Sequence, residues 1–259
     1  MDIVLIPGFW LDGSSWDDVA RPLREAGHTV YTPTLPGLES KGASREAVGL
    51  RDHVDAVVAL IDSIPDPVVL VGHSGGGAIA HGAVDARPDR IARVVYVHSG
   101  PLGDGGIISD EFHVVGSEIP LPDWSVFGEE DLVDLDDSLR ASFRERAIPQ
   151  PARVATDKQV LTDSRRYDVP VTVIACEFPA RMLRAWMEEG HPYTAELRQD
   201  PLRRTGGSSH GSLAAIHQAR GTRRSHPGSR EALEVRRPTS GRRRRFQPPT
   251  SRGLGRIQR

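Results

Sequence analysis

The sequence predicts an α/β domain: a mostly parallel sheet with helices on both faces. Two patterns carry that prediction. Short, near-continuous apolar runs alternate with longer amphipathic segments, as strands buried on both faces and their crossover helices do. Gly and Pro punctuate most of the boundaries between them. The chain's 259 residues suffice for one large domain with a buried core.

Taken in order, DIVLIPGF is a short buried strand that opens into a loop. SSWDDVARPLREAGH is helical, with Trp16, Val19, Ala20 and Leu23 on one face. TVYTPTLPG is a second strand, stopped by Pro and Gly. REAVGLRDHVDAVVALIDSI is a long amphipathic helix, PVVLVGHS a third strand, and GGGAIAHGAVDARP the helix that follows it. RIARVVYVHSG is a fourth strand and, after a gap, VPVTVIACEF a fifth.

The gap, about Pro101 to Asp168, breaks the rhythm with GDGG, Pro-rich turns and acidic helical text such as EEDLVDLDDSLRASFRERA. An insertion after a strand of such a sheet lies above the carboxyl edge, where ligands bind, so a helical lid is expected.

Charge is divided unevenly. The formal net charge is −2, but residues 1–202 hold 18 Lys and Arg against 33 Asp and Glu, whereas 203–259 hold 15 Arg, no Lys and 2 Glu. One folded body seldom divides its charge this way, so the expected organisation is a domain over 1–202 and a basic tail over 203–259. RRRRF in the tail could meet an acidic surface, but no aromatic interleaving or folded motif supports nucleic-acid recognition. The single Cys176 excludes an internal disulfide and fits a reducing cytoplasm. The amino end lacks a basic, apolar leader and no run reaches membrane-spanning length, so neither a signal peptide nor a membrane partner is expected.

The chemistry concentrates at Gly72-His73-Ser74-Gly75-Gly76, between an apolar strand and an Ala-rich helix. This fits G-x-S-x-G, the turn that lifts a nucleophilic serine above a sheet. The helix start then aims free N–H groups at a developing oxyanion. A rival reading takes Gly75 to Ala80 as the G-x-G-x-x-A loop of a dinucleotide site. That loop usually follows the first strand of its unit, and here it follows the third.

LIPGFWLDGSSW, TLPG, VVLVGHSGGG and VTVIACEF together resemble the α/β-hydrolase family, especially its small cofactor-free bacterial members, over Met1 to about Leu197. The resemblance implies hydrolysis of an ester or similar acyl bond in a small-molecule substrate, with no metal and no cofactor. It makes Ser74 the nucleophile. It makes the backbone N–H groups of Phe9 (or its neighbour Trp10) and Gly75 the oxyanion donors. Lyases, cofactor-free oxygenases and non-catalytic binding proteins share the same turn and stay open as alternatives.

The family's chain order is Ser, then an acid, then His. Glu177, just past the fifth strand, is the candidate acid, although many relatives carry Asp two residues later, where this chain has Pro179. Others place the acid after the fourth strand, where this chain has His98, which cannot serve as one; Asp104 is a distant fallback. The expected last strand is not visible in RQDPLRRTGGSS, so the sheet is expected to end before its last strand and helix. His210 stands near the right place for the base, with nothing apolar before it to hold it against a sheet; His217 and His226 sit in poorer contexts.

A shifted reading frame accounts for this. SSHGSLAAIHQARGTR, Ser208 to Arg223, admits a coding string that one base later reads Leu-Pro-Thr-Gly-His-Trp-Pro-Gln-Phe-Thr-Lys-Pro-Glu-Glu-Leu. That resembles the family's last motif, a Gly-His loop followed by a proline-led helix. The Arg-, Pro-, Ser- and Gly-rich tail has the composition of GC-rich DNA read out of frame. The frame is expected to slip between about Leu197 and Gly206, leaving a serine hydrolase inactive as written.

Overall fold

A computed structural model describes residues 1–129, 131–176, 180–197 and, as backbone, 204–207. Its centre is a six-stranded sheet, parallel throughout. In chain order the elements are β1 (Asp2–Ile6), α1 (Asp17–Glu25), β2 (Thr29–Tyr31), α2 (Leu50–Ser63), β3 (Val68–His73), α3 (Gly75–Ala86) and β4 (Ile91–Val97). The insertion follows with β5 (Glu118–Ile119), α4 (Asp137–Arg146), β6 (Gln150–Pro151) and α5 (Ala152–Thr156). The chain then returns to the sheet through β7 (Val171–Ala175), α6 (Ala180–Glu189) and β8 (Arg204–Gly207). Strand order is β2-β1-β3-β4-β7-β8, with β5 and β6 forming a separate antiparallel pair.

The apolar runs become strands because both sheet faces are covered. On one face Trp16 and Ala20 pack with Ile3, Leu5 and Val30. On the other, α3 is buried along almost its whole length, and α2 packs over it. Leu50, Val54, Val57, Val58 and Ile61 recur at helical spacing and supply the inward stripe of α2. That helix starts later than the periodicity predicts. Asp52 caps it by accepting from the Gly49 N–H at 2.7 Å. Arg45, expected inside it, is 4 % exposed and lies in the preceding loop. There it donates to the Pro149 carbonyl at 2.7 Å and pairs with Glu118 at 2.9 Å, tying that loop to the insertion.

The insertion belongs to the main core. Ile108, Ile119, Leu135, Phe143, Ile148 and Val154 are buried in the same cluster as β1, β3 and β4. Its return segment is pinned to α3: Gln159 donates to the Ala78 carbonyl at 2.8 Å, and the Asp85 carboxylate accepts from the N–H groups of Thr162 and Asp163. The acidic stretch is helical only from Asp137, where Asp136 accepts from the Leu139 N–H at 2.8 Å and caps α4.

The carboxyl end also departs from the sequence reading. A four-residue strand, β8, extends the sheet beside β7 in the segment where no strand was expected. Its pairing rests on backbone groups, which need no apolar side-chain pattern.

His53 makes the fold acid-sensitive. Its ring is fully buried in α2 and its Nε2–H donates to the Pro36 carbonyl at 2.8 Å. Burial pushes its pKa down to about 4, against the smaller upward pull of that hydrogen bond. The folded form therefore binds the proton more weakly than the unfolded chain, whose histidine titrates near 6.5. Stability is complete above that value and falls as the pH drops toward 4, by about 3 kcal/mol from this group alone. Urea melts at about pH 7 and about pH 4.5 should show this loss, and His53→Gln should flatten it.

Candidate functional site

Ser74 sits at the carboxyl end of β3 with φ 50° and ψ −127°. This left-handed backbone is costly for a residue with a side chain, by about 1–2 kcal/mol. The turn survives because the surroundings hold it. The Ser74 N–H donates to the Val97 carbonyl at 3.0 Å, and its own carbonyl accepts from Gly77 at 2.8 Å. The flanking glycines are there for space. A Cβ on Gly72 would lie 2.5 Å from the Gly76 carbonyl oxygen, and one on Gly76 would lie 2.5 Å from that of Pro7. β3 and α3 therefore approach each other closely enough to present the serine on a sharp elbow.

The loop after β1 lies against this elbow. The Phe9 ring covers Gly75, with Cε1 only 2.5 Å from where a Gly75 Cβ would be. Phe9 and Gly75, the two predicted oxyanion residues, are thus brought together, Gly75 as the first residue of α3. Trp10 adopts φ 63° and anchors the loop to the insertion. Its Nε1–H donates to the Ile119 carbonyl at 3.0 Å and its carbonyl accepts from the Ile148 N–H at 3.0 Å. Its ring packs edge-on against Phe9, Phe112 and Phe127, so an apolar aromatic wall stands beside the elbow. From the residues alone Trp10 was only an alternative donor, because its anchoring contacts in the insertion lie more than a hundred positions away.

A second pair beside Ser74 also escaped the sequence. His98, immediately after β4, has φ 50° and is 8 % exposed. Its ring lies 6.3 Å from that of His73, and its Nε2 is 3.7 Å from an Asp131 carboxylate oxygen in the insertion. Burial pushes the His98 imidazole down to about 4, against the upward pull of Asp131. Asp104, the fallback acid, instead accepts from the Leu161 N–H at 2.9 Å within the insertion. Glu177 and His210 lie outside the described residues. Glu177 follows two residues after β7, and His210 three after β8.

Among the described residues no group of three or more His, Cys, Asp or Glu side chains is placed to hold a metal ion. No helix among them is long and apolar enough to cross a membrane.

The chain is similar to several known proteins. The chain is 39 % identical over 98 residues to a carbendazim-hydrolysing esterase of a Nocardioides species, covering 37 % of this chain and 40 % of that one. It is 40 % identical over 125 residues to a lipase of Mycobacterium tuberculosis, covering 47 % and 45 %. The chain thus aligns with less than half the length of these relatives. Among solved structures it resembles an extracellular α/β-hydrolase from Paenibacillus, with TM-score 0.66 and 23 % identity over 83 % of this chain and 93 % of that one. A methylesterase from Arabidopsis gives TM-score 0.61 and 16 % identity over 83 % and 92 %. These likenesses establish the shared fold. Residues 3–225 match the alpha/beta hydrolase family as a whole, and the chain belongs to it.

Proposed function

We infer that the protein is a serine hydrolase of carboxylic esters, with Ser74 as its nucleophile. The observation that carries this reading is the strained elbow, which lifts Ser74 beside the amino end of α3 and beneath the loop of Phe9. Ser74 attacks the ester carbonyl carbon, and the backbone N–H groups of Phe9 and Gly75 receive the charge on oxygen. Each such donor contributes about 2.7–4 kcal/mol to transition-state stabilisation. The insertion serves as a lid that keeps the site dry, and its aromatic wall favours an apolar ester. The relatives' descriptions as esterase and lipase point the same way.

In the family's order Glu177 would orient a histidine supplied after the last strand. The shifted frame removes the Gly-His loop that would carry it and leaves His210 in polar text. The chain as written is therefore a slow hydrolase whose in-frame form is a fast one. The test is hydrolysis of p-nitrophenyl esters by the 259-residue chain. A rate above background that Ser74→Ala removes supports the reading. A rate that Ser74→Ala leaves unchanged refutes it.

A further inference from the structure

We propose that His98 takes the proton from Ser74 in this chain, with Asp131 as the counter-charge that orients its ring. The proposal rests on the serine-hydrolase reading above and names the base that reading lacks.

The first support is register. β3 and β4 run parallel with His73 opposite Val97, so the next pair along is Ser74 and His98. The hydrogen bond from the Ser74 N–H to the Val97 carbonyl holds that alignment past the end of the strands. Adjacent strands lie about 4.8 Å apart, within reach of an imidazole. The second support is conformation. Ser74 and His98 both leave the sheet at φ 50°. Two non-glycine residues in left-handed backbone, side by side at a carboxyl edge, mark strain of the kind kept where a site needs it. The third is the partner. The His98 side chain is 5 % exposed, and its Nε2 faces Asp131. At 3.7 Å the carboxylate is beyond hydrogen-bond reach, but its charge draws Nε2 and stabilises the imidazolium that forms, the electrostatic part of what the acid of a catalytic triad does.

With Nε2–H turned toward Asp131, Nδ1 is the accepting atom. The pair closes by side-chain rotation when substrate enters, since catalytic hydrogen bonds often tighten only in the substrate complex. As Ser74 Oγ bonds to the carbonyl carbon, its proton passes to Nδ1 and the carbonyl π pair moves to oxygen. On collapse the bond to the alcohol oxygen breaks, and the alcohol leaves with the proton from Nδ1. Water then repeats the sequence on the acyl-enzyme, releasing the acid and restoring the Ser74 hydroxyl.

His73 from β3 and Asp131 from the insertion both face the ring. Burial keeps His98 neutral down to about pH 4, so it is in the accepting form at neutral pH. Labelling of the full chain by a fluorophosphonate, timed by intact mass, tests the proposal. His98→Gln should slow labelling by about 100-fold or more, while His210→Gln leaves it unchanged. On the unaltered chain the rate should be flat from about pH 5.5 to 8 and fall only as the pH drops toward 4. Asp131→Asn should slow it and move that fall to lower pH. Labelling that His98→Gln leaves intact, or that halves near the ordinary histidine value of about 6.5, overturns the assignment to His98. If the buried substitution prevents folding, the pH profile decides, taken on the His53→Gln chain over the pH range in which circular dichroism shows it folded, because His53 also destabilises the fold as the pH drops toward 4. A folded chain that takes up no label refutes the serine-hydrolase reading, and this assignment with it.

Discussion

Replacing Ser74 with alanine is expected to reduce ester hydrolysis to the uncatalysed background while leaving the fold intact. In the proposed mechanism every bond-making step passes through the Ser74 hydroxyl, so no other group substitutes for it. Losing the nucleophile of a triad costs several orders of magnitude, and here the loss is limited only by how slow the unaltered chain already is. Stability should not change, because alanine and serine pay the same penalty at φ 50°. Ser74→Gly separates the two effects. It should be equally inactive yet more stable than the unaltered chain by about 1 kcal/mol, since glycine adopts left-handed backbone without strain. A urea melt of the three proteins beside an ester assay checks this. An active Ser74→Ala protein, or a Ser74→Gly protein less stable than the original, would show that the elbow is not a strained catalytic turn.

The second large effect concerns the carboxyl end. Restoring the frame that reads Leu-Pro-Thr-Gly-His-Trp-Pro should raise the hydrolysis rate by about 1,000-fold or more. It supplies a base held in a loop after the last strand, and the full triad acts as a unit. It should also improve solubility. Arg204–Gly207 forms only a short edge strand on β7, and a longer strand followed by a helix would cover that edge. In the restored chain, His98→Gln should cost little, because the proton goes to the new histidine. Sequencing the DNA that encodes Ala195 to Arg224 shows whether a base is missing or extra; an intact frame there refutes the shifted-frame account.

The central strands were legible because β1 and β3 are apolar on both faces, and β4 and β7 are nearly continuous apolar runs broken only by Arg93 and Thr172. The elbow was legible because Gly72 and Gly76 must be glycines for steric reasons, which leaves a fixed spacing in the text. The start of α2 was not, because Arg45 is held out of the helix by Glu118 and the Pro149 carbonyl, far along the chain. β8 was hidden for a different reason: an edge strand pairs through its backbone, whatever its side chains. The pairing of His98 with Asp131 joins a strand end to an insertion whose path no local pattern encodes. What the residues declare locally could be read; what depends on tertiary closure could not.

The proposed chemistry turns on one atom, the Ser74 hydroxyl oxygen. The most direct test is to treat the 259-residue chain with a fluorophosphonate, digest it and map the adduct by mass spectrometry. An adduct on the peptide containing Ser74, absent after Ser74→Ala, is the predicted result. A folded chain that takes up no label, or takes it up on another residue, would contradict the account.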